Sequence, residues 1–92
     1  MSLPTLIKEV KESVEDTLEK TLERLSNRMP IVQIRAFCEP DTLMVLEVIR
    51  IIRTSFELID DSAHPLKAFI PELEEIIAIG ERILELVRPR GA

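Results

Sequence analysis

An all-α fold is what this sequence predicts: a small helical bundle of three long helices plus one short helix, completed by oligomerisation. Three observations point there. Apolar residues recur at spacings of three and four over three long stretches, as they do on one-faced helices. Prolines punctuate those stretches and separate one from the next. A single short segment alternates as a strand does, and the chain offers no second strand to pair with it.

The first helix is expected over residues 4–28 of a single domain spanning 1–92. Ser2 is placed to cap it, and Pro4 falls in the first turn, where its missing N–H is not needed. Leu3, Val14 and Leu25 lie eleven apart, as do Ile7, Leu18 and Met29. Together with Val10 and Leu22 they draw a narrow apolar seam, because eleven residues make nearly a whole number of helical turns. Lys8–Glu12, Lys11–Glu15 and Asp16–Lys20 are spaced to pair on the opposite, wet face.

Pro30 opens a segment, 31–38, that fits a short helix or a lone strand; lacking a partner strand, the helix is preferred. Glu39-Pro40-Asp41 then breaks the chain, and Asp41 is a suitable cap for a helix over 42–60. Plotted at about 100° per residue, its apolar side chains cover more than half the girth, leaving a polar strip of Glu47, Arg50, Thr54, Glu57 and Asp61. A helix this apolar must be covered on several sides, which makes it the central element.

Asp61-Ser-Ala-His-Pro65 reads as a turn, and the last helix is expected over 66–87, with Pro71 early in it. Leu66, Leu73 and Val87 share a heptad line; Phe69, Ile76 and Ile83 follow three residues on, and Ile70, Ile77 and Leu84 four on. Gly80 fills the gap in the first line. A mid-helix glycine costs about 1 kcal/mol relative to alanine. Its place in the apolar stripe therefore marks a helix crossing, within the chain or across a subunit interface. Residues 88–92 form a short, basic, mobile tail.

Composition narrows the function. Hydrophobic residues make up 46% of the 92 and charged residues 32%, enough apolar content to fold rather than remain disordered. Net charge is −5, from 12 basic and 17 acidic side chains, which disfavours direct nucleic-acid binding and anionic membrane surfaces. The arginine pairs Arg24/Arg28, Arg50/Arg53 and Arg88/Arg90 have no stacking aromatics among them, since Phe37, Phe56 and Phe69 suit the core better. No apolar run approaches the ~20 residues needed to span a bilayer, and the N-terminus lacks the apolar core of a secretory signal. One cysteine, Cys38, excludes an intramolecular disulfide and points to a reducing, cytoplasmic setting. The single Asn27 and single Gln33, amid many Glu and Arg, match a tendency of hyperthermophile proteins.

Catalytic chemistry finds no footing. One Cys and one His in separate turns cannot build a zinc site, and no Glu-x-x-His pair exists for a di-iron bundle. Cys38 neighbours Glu39, whose charge disfavours a thiolate, and reads as a small buried apolar residue; His64 reads as a turn residue before proline. Adjacent acids such as Asp60-Asp61 and Glu74-Glu75 point in different directions, and the isolated Gly80 and Gly91 make no phosphate loop. No catalytic, metal or cofactor residue is assigned. The expected role is a non-enzymatic interaction module: an adaptor, scaffold or small subunit acting through apolar helix faces. The expected interface comprises Met44, Ile51, Leu58, Ile76, Ile77, Gly80, Ile83 and Leu84. Its partner is a second copy, in a twofold dimer pairing helices 42–60 and 66–87 around Gly80, or a larger protein. An acidic accessory subunit of a nucleic-acid-processing complex and a carrier of apolar ligands are the alternatives.

Overall fold

A computed structural model describes residues 2–59 and 64–88 and, within these, leaves aside the side chains of Ile31, Arg35, Phe37 and Cys38. The expected burial of Cys38, the turn residues 61–63 and the tail beyond Arg88 therefore lie outside the described residues. All regular structure among them is helical: α1 (Leu3–Ser26), α2 (Ile31–Leu58) and α3 (Ile70–Val87), with a 3-10 turn at Lys67–Phe69 ahead of α3.

Ser2 caps α1, its Oγ accepting the Thr5 N–H at 3.4 Å. The helix ends by paired reverse hydrogen bonds, Met29 N–H to the Arg24 carbonyl and Arg28 N–H to the Leu25 carbonyl, at 3.2 and 3.1 Å. Arg28 is forced to φ 58°, the left-handed region that glycine occupies without strain. That corner turns the chain back through Pro30 into α2.

The expected break at Glu39-Pro40-Asp41 does not occur. Segments 31–38 and 42–58 form one helix of 28 residues with Pro40 inside it, and Asp41 lies half-buried in mid-helix instead of capping a new one. Proline withholds the N–H that the Ala36 carbonyl would accept, at a cost of about 3 kcal/mol. Packing offsets that loss. Ile34, on the near side of Pro40, is fully buried with Val87, Leu25 and Met29 in a small cluster where the ends of α1 and α3 meet α2. Continuing the helix through Pro40 is what delivers Ile34 there.

The last helix begins later than expected, at Ile70 rather than Leu66. Pro71 cannot donate to the Lys67 carbonyl, so the preceding turn closes with tighter bonds: Lys67 N–H to the His64 carbonyl (3.1 Å) and Phe69 N–H to the Leu66 carbonyl (3.0 Å). His64 serves this turn through Nδ1, which accepts the Leu66 N–H at 3.1 Å.

α1 and α3 run in the same direction with α2 against them, and α1 lies chiefly on α3. The main core joins Ile7 and Val14 of α1, Val45, Ile49 and Ile52 of α2, and Leu73, Ile76 and Ile83 of α3. The seam of α1 departs from the apolar stripe: Thr17 and Thr21 are buried, while Leu22 is exposed. Each threonine hydroxyl donates to the carbonyl four residues back, at 3.0 and 2.9 Å, so these small side chains enter the core with their polarity satisfied.

Candidate interaction surface

Gly80 is a crossing point inside the chain. A Cβ built on it would lie 2.9 Å from Ile49 Cδ1 and 3.1 Å from Val45 Cγ1, so α3 presses against α2 here with no room for a methyl group. Ile76 and Ile83, one turn to either side, are 1% and 0% exposed. These three members of the expected interface are therefore engaged within the chain's own core, and a second copy pairing around Gly80 would find that surface covered. Met44, Ile77 and Leu84 are half-buried against the same core. Ile51 and Leu58 face outward, 50% and 67% exposed.

Those two exposed residues belong to a row on α2, Met44, Val48, Ile51, Ser55 and Leu58, one helical face away from the core row Val45, Ile49, Ile52 and Phe56. Val48, Ile51 and Ser55 of this row look into a groove of about 300 Å³ between the first half of α1 and the second half of α2. Leu3, Leu6, Ile7 and Val10 form one wall; Val48, Ile51, Ile52 and Ser55 form the other; Leu66, Leu73 and Ile76 form the floor. Ser55 is the one polar side chain in the lining, and its hydroxyl is already bonded to the Ile51 carbonyl at 2.8 Å. The groove has no free polar group to orient a substrate.

Its origin is in the packing. Ion pairs tie both other helices to α3: Lys11 to Glu75 at 2.6 Å, and Arg53 to Glu81. The Glu75 carboxylate, by hydrogen bond and charge, holds the Lys11 ammonium above its ordinary pKa, with Glu15 and Glu72 adding to the effect. Lys11 thus reaches across to α3 instead of pairing with Glu15 as its spacing allows. Asp16–Lys20 and Glu85–Arg88 form as their spacing predicts, at 3.1 and 3.4 Å. So does Glu47–Arg50, whose hydrogen bond holds the Glu47 carboxyl below its usual range. With α1 and α2 both packed chiefly on α3 and less on each other, the edge between them stays open.

No family model, curated protein or solved structure matches the chain.

A second cleft, of about 800 Å³, lies between α2 and α3. Leu43, Leu46 and Leu84 share it with Glu39, Glu81, Glu85 and Arg88, a mixed lining suited to water. Among the described residues no group of three or more His, Cys, Asp or Glu is placed to hold a metal ion, and no helix is long and apolar enough to cross a membrane.

Leu6 is the residue the sequence pattern passed over. It lies off the eleven-residue stripe of α1, yet it is 47% exposed on the groove wall opposite Ile51. A leucine on the flank of an otherwise narrow seam, adjoining Leu3 and Val10, was the available signal.

Proposed function

We propose that this chain is a non-enzymatic docking module, and that the open groove between α1 and α2 is its working surface, taking an apolar helix of a protein partner in a reducing, cytoplasmic setting. The observation that carries this reading is the uncharged lining. Eleven residues, from three helices and the turn ahead of the last, converge on one concavity with a single serine among them, while charged side chains populate the mixed cleft between α2 and α3. Covering a half-exposed leucine or isoleucine contributes about 1 kcal/mol. Leu6 and Ile51, both in its lining, together therefore supply about 2 kcal/mol to whatever docks. A helix laid along the groove would complete a four-helix arrangement, with its anchors at spacings of three and four.

Purification from the native source under mild conditions, followed by native mass spectrometry, tests this. The expected result is a complex heavier than the 10.5 kDa chain that a Leu6→Glu/Ile51→Glu variant fails to form and a Leu43→Glu variant retains. A bare 10.5 kDa species, or a complex indifferent to the groove variants, contradicts it. The groove's volume also lies at the low end of the roughly 300–1,000 Å³ typical of small-molecule sites, which favours an apolar-ligand carrier as second reading. In that case the added mass would be a few hundred daltons rather than a polypeptide.

A further inference from the structure

We propose that His64 is a pH-sensitive latch on the floor of the α1–α2 groove, holding Leu66 while its ring is neutral and releasing it on protonation. The bearing of this latch on docking rests on the function proposed above; the latch itself is a property of the single chain.

The entry to α3 is short of backbone donors, because Pro65 and Pro71 have no N–H. His64 supplies two of the acceptors that close the turn between them. Its carbonyl takes the Lys67 N–H at 3.1 Å, and its ring Nδ1 takes the Leu66 N–H at 3.1 Å. The Phe69 N–H then returns to the Leu66 carbonyl at 3.0 Å. Leu66 is thus tied on both sides, through its N–H to a side chain and through its carbonyl to the turn. Its own side chain is half-buried against the main core and lies on the groove floor with Leu73 and Ile76.

A side chain that accepts the N–H two residues on is the arrangement of an Asx turn. Asparagine and aspartate make it through an oxygen that stays an acceptor across the neutral pH range. Histidine makes it through a ring nitrogen, and only while that nitrogen carries no proton. Imidazolium has an N–H at both ring positions, so Nδ1 would turn a proton toward the Leu66 N–H. Histidine is also the side chain whose ordinary charge change falls between about pH 5 and 8. The bond that fixes the Leu66 amide is therefore made at neutral pH and lost in mild acid.

The groove lining brings no charged side chain to this point. On the elements packed around Leu66, the neighbouring charged residues are Lys8 and Glu9 of α1, Arg53 and Glu57 of α2, Lys67 in the turn and Glu72 of α3. Among the described residues none of them forms an ion pair with His64, and Arg53 is bonded to Glu81.

The test uses the full chain, alone, beside two variants. His64→Asn keeps an acceptor at this position without a titrating ring, and His64→Ala has none. Asp60 and Asp61, which lie outside the described residues, are unchanged in all three chains, so their titration is common to them. At about pH 8, nitrogen NMR should show the neutral His64 ring with its proton on Nε2. Between about pH 8 and about pH 5, the Leu66 amide of the native chain should lose about fivefold in exchange protection relative to the Phe69 amide. Over the same range the Leu66 methyl groups should become more open to a water-soluble paramagnetic agent. His64→Asn should hold both readings constant, and His64→Ala should show the acid values throughout. A proton on Nδ1 in the neutral ring overturns the proposal, as does an equal pH response in the native and His64→Asn chains, or a Leu66 methyl signal indifferent to pH. No reading needs a partner: a chain that docks nothing yet shows this response loses the proposed function and keeps the latch.

Discussion

Replacing Gly80 with alanine sets two effects of opposite sign against each other, and the structure decides between them. Alanine is favoured over glycine in a helix interior by about 1 kcal/mol. The new methyl group would meet Ile49 Cδ1 at 2.9 Å, Val45 Cγ1 at 3.1 Å and Ile49 Cγ1 at 3.2 Å. Cδ1 ends a flexible side chain and can rotate away. Val45 Cγ1 and Ile49 Cγ1 cannot, because a β-branched side chain has one strongly preferred rotamer in a helix, so α2 itself must shift. Overpacking of this kind costs about 1–3 kcal/mol, and the net expectation for Gly80→Ala is a loss of about 1 kcal/mol. Val45→Ala removes the nearer of the two rigid contacts and leaves a space into which the new methyl group can shift away from Ile49. In that background Gly80→Ala should stabilise by about 1 kcal/mol, giving a coupling of about 2 kcal/mol between two residues in contact. Urea unfolding followed by circular dichroism, at one fixed protein concentration, measures all four corners of the cycle. For a domain of this size each kcal/mol is also worth about 4–8 °C in Tm. If Gly80→Ala stabilises both backgrounds equally, the α2–α3 crossing is not as close as described and the reasoning fails.

Arg28→Gly should stabilise the chain by about 1 kcal/mol in the same assay, since glycine adopts φ 58° without the steric cost borne by arginine. Pro40→Ala should stabilise by about 2 kcal/mol: it restores the bond to the Ala36 carbonyl in a helix already continuous there, less the entropy that proline removes from the unfolded chain. No change, or a loss, would mean that the chain breaks at Pro40 after all. The Lys11–Glu75 pair makes a pH prediction. Because the folded-state ammonium titrates above its ordinary 10.5, the pair's contribution is fully present below that value and fades as pH rises through the raised one. Glu75→Gln should flatten this alkaline limb in stability-versus-pH curves and bring the Lys11 titration, followed by NMR, back toward its ordinary value.

The all-helical class, the cap at Ser2 and the close crossing at Gly80 were legible in the sequence because each depends on local chemistry: periodicity, a hydroxyl before the first turn, a missing side chain in an apolar stripe. Pro40 misled because its cost is local while its compensation is not. Nothing in Glu39-Pro40-Asp41 reveals that Ile34 will be buried against Val87, more than fifty positions away. Thr17 and Thr21 were unreadable as core for a related reason: a threonine's hydroxyl can bond its own helix, so its polarity says little about which way it faces. The interface set divides along the same line. The apolar surplus of 42–60 was evident, but which rows α3 would cover was not. Gly80, Ile76 and Ile83 were taken inward, leaving Ile51 and Leu58 outside with Leu6, a residue on a different helix.

The account turns on whether the groove between α1 and α2 is covered in solution. Methyl NMR with a water-soluble paramagnetic agent measures that directly, residue by residue. Leu6 and Ile51, on its two walls, are 47% and 50% exposed on the single chain, and Leu43, outside it, is 61% exposed. In the complex purified from the native source the methyl groups of Leu6 and Ile51 should be shielded from the agent while those of Leu43 and Val32 stay accessible. Equal relaxation at all four would mean that the groove stays open to water and that its apolar lining docks nothing.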